Sequence, residues 1–453
     1  MLFYLETLDR AFPTRLVGSV LETTGGTASV ADFPAPVGAV VHIERSSGGH
    51  VPAEVIGFRN NRTLVFPFES LAGVRRGAQV QLVSTMRQIR IGDELLGRVI
   101  NAHGTCVDGR PQPMLFNRTL VDRDPPMPSQ RPRIDQPLST GIRSVDSMLT
   151  CGQGQRLGIF AGPGVGKSVL LGMISKFSSA DVNVIALVGE RGRELNDFIQ
   201  RDLGPEGLKR SIIVCATSNE PAVSRVQAAL TATAIAEHYR DRGKNVLLLV
   251  DSVTRFATAL REIGLASGEP PATRGFPPSV FATLPKLVER AGRNQHGSIT
   301  AFYSVLVEGD DPSDPVADTM QGLLDGHLWL SRDLASSGHY PAIDILKSIS
   351  RLMPDIVPAN SLAAARNIRK LMAVYHENED LISVGAYRRG SNKLIDAAID
   401  MREAIAHMLQ QQPTEHCSME NSTQQLLELG ARCGGITVPP AEAAAEKQLA
   451  AAT

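Results

Sequence analysis

An excess of charge of either sign is what this 453-residue sequence lacks: 46 basic residues stand against 47 acidic ones, for a net charge of -1. That balance gives no reason to expect a polyanion as chief partner, so no nucleic acid is expected. No window approaches the roughly 18 consecutive apolar residues of a membrane span. The five cysteines, Cys106, Cys151, Cys215, Cys417 and Cys433, lie far apart and never in a C-x-x-C spacing. They read as reduced, structural thiols of a cytoplasmic chain. Met1 to Phe12 carries Glu6 and Asp9 among its apolar residues and has no basic start leading into an apolar core, so no secretory signal is expected. No internal repeat is evident. What is present, 43% hydrophobic and 21% charged residues, is the composition of an ordinary globular protein, and the length suggests about two or three domains.

From Arg15 to about Ser84, short β-like runs such as Val37–Ile43 and Thr63–Phe66 alternate with Gly, Asn and Ser clusters, the pattern of a small all-β barrel. Pro125, Pro126, Pro128, Pro132 and Pro137 then crowd one stretch, with Pro113 upstream, and read as a linker. Beyond it, candidate strands Val182–Val188, Ser211–Ala216, Asn245–Val250 and Ile299–Leu306 alternate with helical segments such as Ala222–Arg242, which implies a mostly parallel sheet covered on both faces. From about Asn360 the pattern turns helical, through Arg366–His376 and Ile395–Gln412, and the Ala/Glu-rich end, Ala441–Thr453, reads as a frayed helix.

The chemistry gathers around Ala161-Gly162-Pro163-Gly164-Val165-Gly166-Lys167-Ser168. This glycine-rich loop lies between an apolar strand and the helix-like run from Val169 to Ile174, so its backbone N–H groups and the helix dipole converge where phosphate oxygens can sit. Lys167 supplies a point charge for β- and γ-phosphates and Ser168 a hydroxyl for Mg²⁺. Ala161 stands where the strict pattern has glycine, and its methyl is expected to be tolerated. Asp251 closes an apolar strand that should end at the same sheet edge, where it would help to hold Mg²⁺. Glu190 closes another and is the candidate to orient the attacking water; Arg191 beside it is a candidate to neutralise phosphate charge. Arg193 and Glu194 read as a solvated helix start.

These runs carry a resemblance. Gly189–Glu194, Asp251–Ala257 and Pro277–Phe281 resemble the catalytic subunits of rotary ATPases and the hexameric ATPases of type III protein export. Thr150–Arg156, Glu308–Asp311 with Asp314–Asp318, and His339–Asp344 favour the export branch. The resemblance implies a RecA-like P-loop α/β core with a parallel sheet (141–360), preceded by an N-terminal β-barrel (1–85) and a linker with a Pro-rich connection (86–140), and followed by a C-terminal helical domain (361–440) and a tail (441–453). It implies ATP and Mg²⁺ as ligands, with Gly162, Pro163, Gly164, Val165, Gly166, Lys167, Ser168 and Val169 around the nucleotide. It implies a homohexamer with sites at subunit interfaces, and Arg351 matches the family's arginine supplied by the neighbour. Tyr340 and Tyr387, in a chain with only 5% aromatics, match positions that flank adenine; each could otherwise be a core residue with a wetted hydroxyl.

The implied partners are a central stalk protein, a regulatory peripheral-stalk protein, export substrates with their chaperones and, indirectly, a membrane export gate. The implied place is the inner face of the cytoplasmic membrane. Gly385–Asn392 leans toward the flagellar branch over the injectisome branch. An ATP synthase subunit, a hexameric RNA translocase and a nucleotide-binding regulator without turnover are the alternatives. The pairing of Glu190 with Arg351 in one chain argues against the first, and a barrel with only Phe33, Phe58, Phe66 and Phe68 as aromatics against the second. Glu190 itself opposes the third. The acidic cluster Glu308, Asp310, Asp311, Asp314 and Asp318 lacks the spacing of a calcium loop and reads as loop and cap.

Overall fold

The computed structural model describes residues 16–24, 26–307 and 314–434; the acidic residues Glu308, Asp310 and Asp311, and the tail 441–453, lie outside them. Six strands, β1 (Val17–Thr24), β2 (Thr27–Ala31), β3 (Val40–Glu44), β4 (His50–Arg59), β5 (Arg62–Pro67) and β6 (Gln79–Ser84), close into a barrel of order β1-β2-β5-β4-β3-β6. The period-two alternation of β4 and β5 turns Val51, Ala53, Val55 and Val65 inward. Asn60 and Asn61 join these two strands with φ of 50° and 61°, the left-handed pair that a two-residue hairpin requires.

The stretch from 86 to 140, expected to be a linker, is more than that. Gln88–Ile91 pairs with Asn117–Leu120, and Arg98–Asn101 (β7) runs as an edge strand of the central sheet. Its loop is pinned by Arg98, which reaches Asp108 at 2.6 and 2.9 Å. The prolines govern only the later residues of the stretch, so they are a poor guide to its beginning. The connection also ties barrel to core: Glu54 of β4 accepts from Arg87 at 3.2 Å and from Gln227 at 2.7 Å.

The central sheet contains β8 (Arg156–Ala161), β9 (Val182–Glu190), β10 (Ser211–Thr217), β11 (Asn245–Asp251), β12 (Ser298–Leu306), β13 (Gly326–Leu330) and β14 (Ile349–Ser350) in the order β14-β13-β8-β12-β11-β9-β10-β7. From β13 to β7 every neighbouring pair is parallel; β14 is antiparallel to β13. All nine residues of β9 are buried, as a strand covered on both faces requires. On one face lie α2 (Ala222–Asp241), α3 (Val253–Ser267) and α4 (Pro278–Glu289). On the other lies α1 (Lys167–Phe177), whose core continues into the helical domain formed by α5 (Ala359–Ser383), α6 (Lys393–Leu409) and α7 (Met419–Gly434). Among the described residues no helix is long and apolar enough to cross a membrane, and all five cysteines are free.

One ion pair fastens α2 to the end of α4. Glu237 accepts from Arg290 at 3.0 and 2.7 Å, with side chains 1% and 3% exposed. Removing one partner strands a buried charge, so Glu237→Ala should cost about 3–5 kcal/mol. Replacing both residues with Met should cost far less, a contrast readable from thermal melting of the two variants.

Candidate active site

The cradle is built where β8 stops and α1 starts. Ala161 is still a strand residue, buried and paired with Leu306 and Leu330, which explains why its methyl does no harm: it packs in the core behind the loop. Gly164 and Gly166 adopt φ of +78° and +89°, a region that side chains disfavour. At Gly166 a Cβ would also stand 3.4 Å from the Tyr340 ring. The chain enters α1 at Lys167, with its first N–H groups free to face the loop.

Parallel strands bring their carboxyl ends to this loop. Lys167 Nζ donates to Asp251 Oδ1, with Ser304 Oγ of β12 at 3.4 Å. Ser304 Oγ itself donates to the same oxygen at 2.6 Å. Glu190 Oε1 lies 4.0 Å from the Lys167 ammonium, and Glu190 Oε2 accepts from Arg255 Nη1 at 2.8 Å. Arg255 also donates to the Gly189 carbonyl. The Glu190 carboxyl is pushed up to about 7: burial is the main cause, joined by the nearby Asp251 charge and a hydrogen bond with Glu194, against the pull of Lys167 and Arg255. A carboxyl poised there can take a proton from water near neutral pH.

Beside the loop, on the α1 face, opens a cleft of about 370 Å³ lined by Val169, Met173, Leu330, Tyr340, Gln410 and Pro413 among others. It is apolar along α1 and amide-bearing along the opposite wall, suited to a flat heteroaromatic ring. The set fits a nucleoside triphosphate: a cradle for phosphates at one end and a slot for a base at the other. Ser168 in the first turn of α1 and Asp251 are hard oxygen donors, few enough to suit a Mg²⁺ ion that takes its remaining ligands from phosphates and water. Such an ion would neutralise charge on the phosphates.

Comparison with known proteins agrees with this geometry. Residues 141–350 match the ATP synthase alpha/beta family, nucleotide-binding domain, and residues 357–428 match the T3SS EscN ATPase C-terminal domain. The flagellum-specific ATP synthase of Bacillus subtilis (strain 168) is 49% identical over 415 residues, 92% of this chain and 94% of its own length. The chain belongs to the flagellar and type III secretion ATPase family. The type 3 secretion system ATPase of Xanthomonas euvesicatoria is 47% identical over 426 residues, covering 93% of this chain and 96% of its own. The assembled ATPase EscN of enteropathogenic E. coli, solved in complex with its central stalk EscO, superposes with a TM-score of 0.85 at 43% identity, over 91% of this chain and 100% of that one.

Within this ATPase, Lys167, Glu190 and Asp251 meet at the sheet edge, Ser168 follows Lys167 in the first turn of α1, and Tyr340 walls the cleft. Three other expected residues fall elsewhere. Arg191 follows the last strand residue, so its side chain leaves on the opposite side from Glu190; it is 79% exposed and pairs with Glu194 at 3.5 Å. The arginine at Glu190 is Arg255, four residues after Asp251 on the first turn of α3; the run Asp251–Ala257 carries the resemblance but no separate signal for this residue. Tyr387 lies in the turn between α5 and α6, its hydroxyl donating to Asp396 at 3.0 Å and the Asn392 carbonyl at 2.9 Å. The wall facing Tyr340 comes from Gln410–Pro413; the helix expected to run to Gln412 is α6, which ends at Leu409 with Gln410 extended.

Arg351 is exposed and follows β14, whose Ser350 pairs with Gly326 at the start of β13. Its N–H donates to Asp325 O at 3.0 Å, and Asp325 N–H donates to the carbonyl of Arg156, the first residue of β8. Arg351 therefore sits at the amino edge of the sheet, the full length of β8 from the cradle, roughly 16 Å at about 3.3 Å per residue.

Because Glu190 accepts a proton only when ionised, kcat/KM for ATP should fall as pH drops through about 7. Glu190→Gln should remove that acid limb and lower kcat by about 10²–10⁴, with binding of a fluorescent ATP analogue retained. A variant that keeps wild-type turnover would dismiss Glu190 as the base.

Proposed function

We propose that this ATPase couples hydrolysis of Mg²⁺-bound ATP to type III protein export, in the flagellar system, as a homohexamer whose sites are shared between neighbouring copies. Lys167 and the loop from Gly162 to Ser168 hold the phosphates, and Ser168 and Asp251 hold Mg²⁺. Glu190 takes a proton from the water that attacks the γ-phosphorus; the β–γ bridging bond breaks and ADP leaves with inorganic phosphate. Arg255, already at Glu190 and Gly189, fixes the carboxylate that the reaction needs.

The observation that carries the shared site is the position of Arg351. It cannot serve its own cradle from the opposite sheet edge, yet phosphoryl transfer gains about 10³–10⁵ in rate from an arginine on the γ-phosphate. An adjacent copy placed edge to edge would bring it there. The assembled state of EscN and its complex with EscO support a ring around a central stalk protein. A regulatory peripheral-stalk protein, chaperone-bound export substrates and a membrane export gate complete the partners of this reading, with the enzyme peripheral at the cytoplasmic membrane. Injectisome export is the second reading, favoured by relatives of that system at nearly the same identity.

Two measurements test this. ATPase activity per chain should rise with protein concentration, and mixing in Arg351→Ala should depress it more than dilution does; constant specific activity with simple dilution would sink the shared site. In the source cell, removing the chain should abolish filament assembly and leave effector secretion intact, whereas the reverse result assigns it to an injectisome.

A further inference from the structure

The segment Gln410-Gln411-Gln412 continues α6 as extended chain, so its side chains alternate. All three border the cleft, but Gln410 and Gln412 are exposed along it, whereas Gln411 is 4% exposed and its side-chain amide is bonded within the protein. Every polar atom of the buried residue's side chain is engaged. Gln411 Nε2 donates to the carbonyls of Gly141 and Glu415, both at 2.8 Å, and Oε1 accepts from the Arg143 N–H at 2.7 Å. Its main-chain N–H donates at 2.9 Å to the carbonyl of Tyr340, the aromatic wall across the cleft.

One residue thus joins three parts: the first turn of the nucleotide domain's Arg143–Met148 helix, the start of the segment leading to α7, and the loop that carries Tyr340. Arg143 reinforces the joint through the carbonyl of Gln410 at 3.0 Å and an ion pair with Glu415. The two walls of the cleft are therefore not independent, because the spacing between them runs through Gln411. Nothing in this joint touches the phosphate cradle beyond Gly166.

Resting on the reading of the cleft as a nucleotide pocket, we infer that Gln411 is a positioning residue for the base, holding the wall formed by Gln410 and Gln412 at ring-stacking distance from Tyr340. It governs how tightly the enzyme grips the base while leaving the chemistry at Glu190 and Lys167 alone. Buried polar groups bonded on every side are costly to disturb, so the segment is fixed in one place rather than adaptable.

The test replaces Gln411 with Met, which keeps the length and removes three hydrogen bonds. KM for ATP should rise roughly tenfold, equivalent to about 1.4 kcal/mol, with kcat within about twofold. Inhibition by tripolyphosphate, which has no base, should be unchanged, because its cradle is untouched. Equal losses for ATP and tripolyphosphate, or an unchanged KM in a variant that melts normally, would overturn the inference. Should Gln411→Met melt early, Gln410→Ala combined with Gln412→Ala strips the wall without breaking the Gln411 bonds; it should raise KM in the same selective way, and an unchanged KM overturns the inference equally. Wild-type enzyme that fails to bind ATP would instead refute the pocket itself.

Discussion

The ion pair of Lys167 with Asp251 exists because buried strands run parallel and end together. Each of β8, β9 and β11 is apolar through its middle, so its charged groups stand at the strand ends, and parallel direction puts those ends along one line. The lysine, two carboxylates and a serine then meet at the boundary between core and solvent, where the dielectric is low enough for charges to perturb each other strongly. Burial raises the Glu190 carboxyl, with the Asp251 charge adding to it, and the Lys167 ammonium pairs with the Asp251 carboxylate beside it.

The barrel joins this arrangement through polar contacts at its lower strands. Glu54 lies between Arg87 of the connecting segment and Gln227 of α2, with the Arg87 guanidinium 5.5 Å from the centre of the Phe68 ring. Burial pushes Glu54 up to about 7, so the junction is held by a hydrogen-bonded group near its own titration point rather than by a permanently charged pair. The domains meet through a buried network whose members come from three separate stretches of chain.

Much of this was legible beforehand because local and global signals coincide. The loop from Ala161 to Ser168 has one physical use between strand and helix, and Glu190 and Asp251 announced themselves as polar residues closing apolar runs. What was hidden depended on direction and distance. Arg191 and Arg255 are equally charged, and only the turn after β9 and the first turn of α3 decide which meets Glu190. Arg98–Asn101 is too short to reveal a strand whose partner, Ser211–Thr217, lies more than a hundred positions away. Tyr387, a candidate for the cleft, lies in the turn between α5 and α6, and the wall opposite Tyr340 is made by main chain and amides, which leave no aromatic signature.

The opposite placement of cradle and Arg351 gives the subunit a polarity. In the shared site proposed above, one edge of the sheet would receive and the other give, so a contact that completes a site would be head-to-tail rather than two-fold symmetric. A pair of copies joined this way holds one finished site and one unfinished one, and every added copy moves the unfinished end along without removing it. Closure of the row into a ring is the only arrangement that leaves no arginine idle and no cradle wanting one, which makes the curvature of the interface, set far from any phosphate, a determinant of how many sites can work.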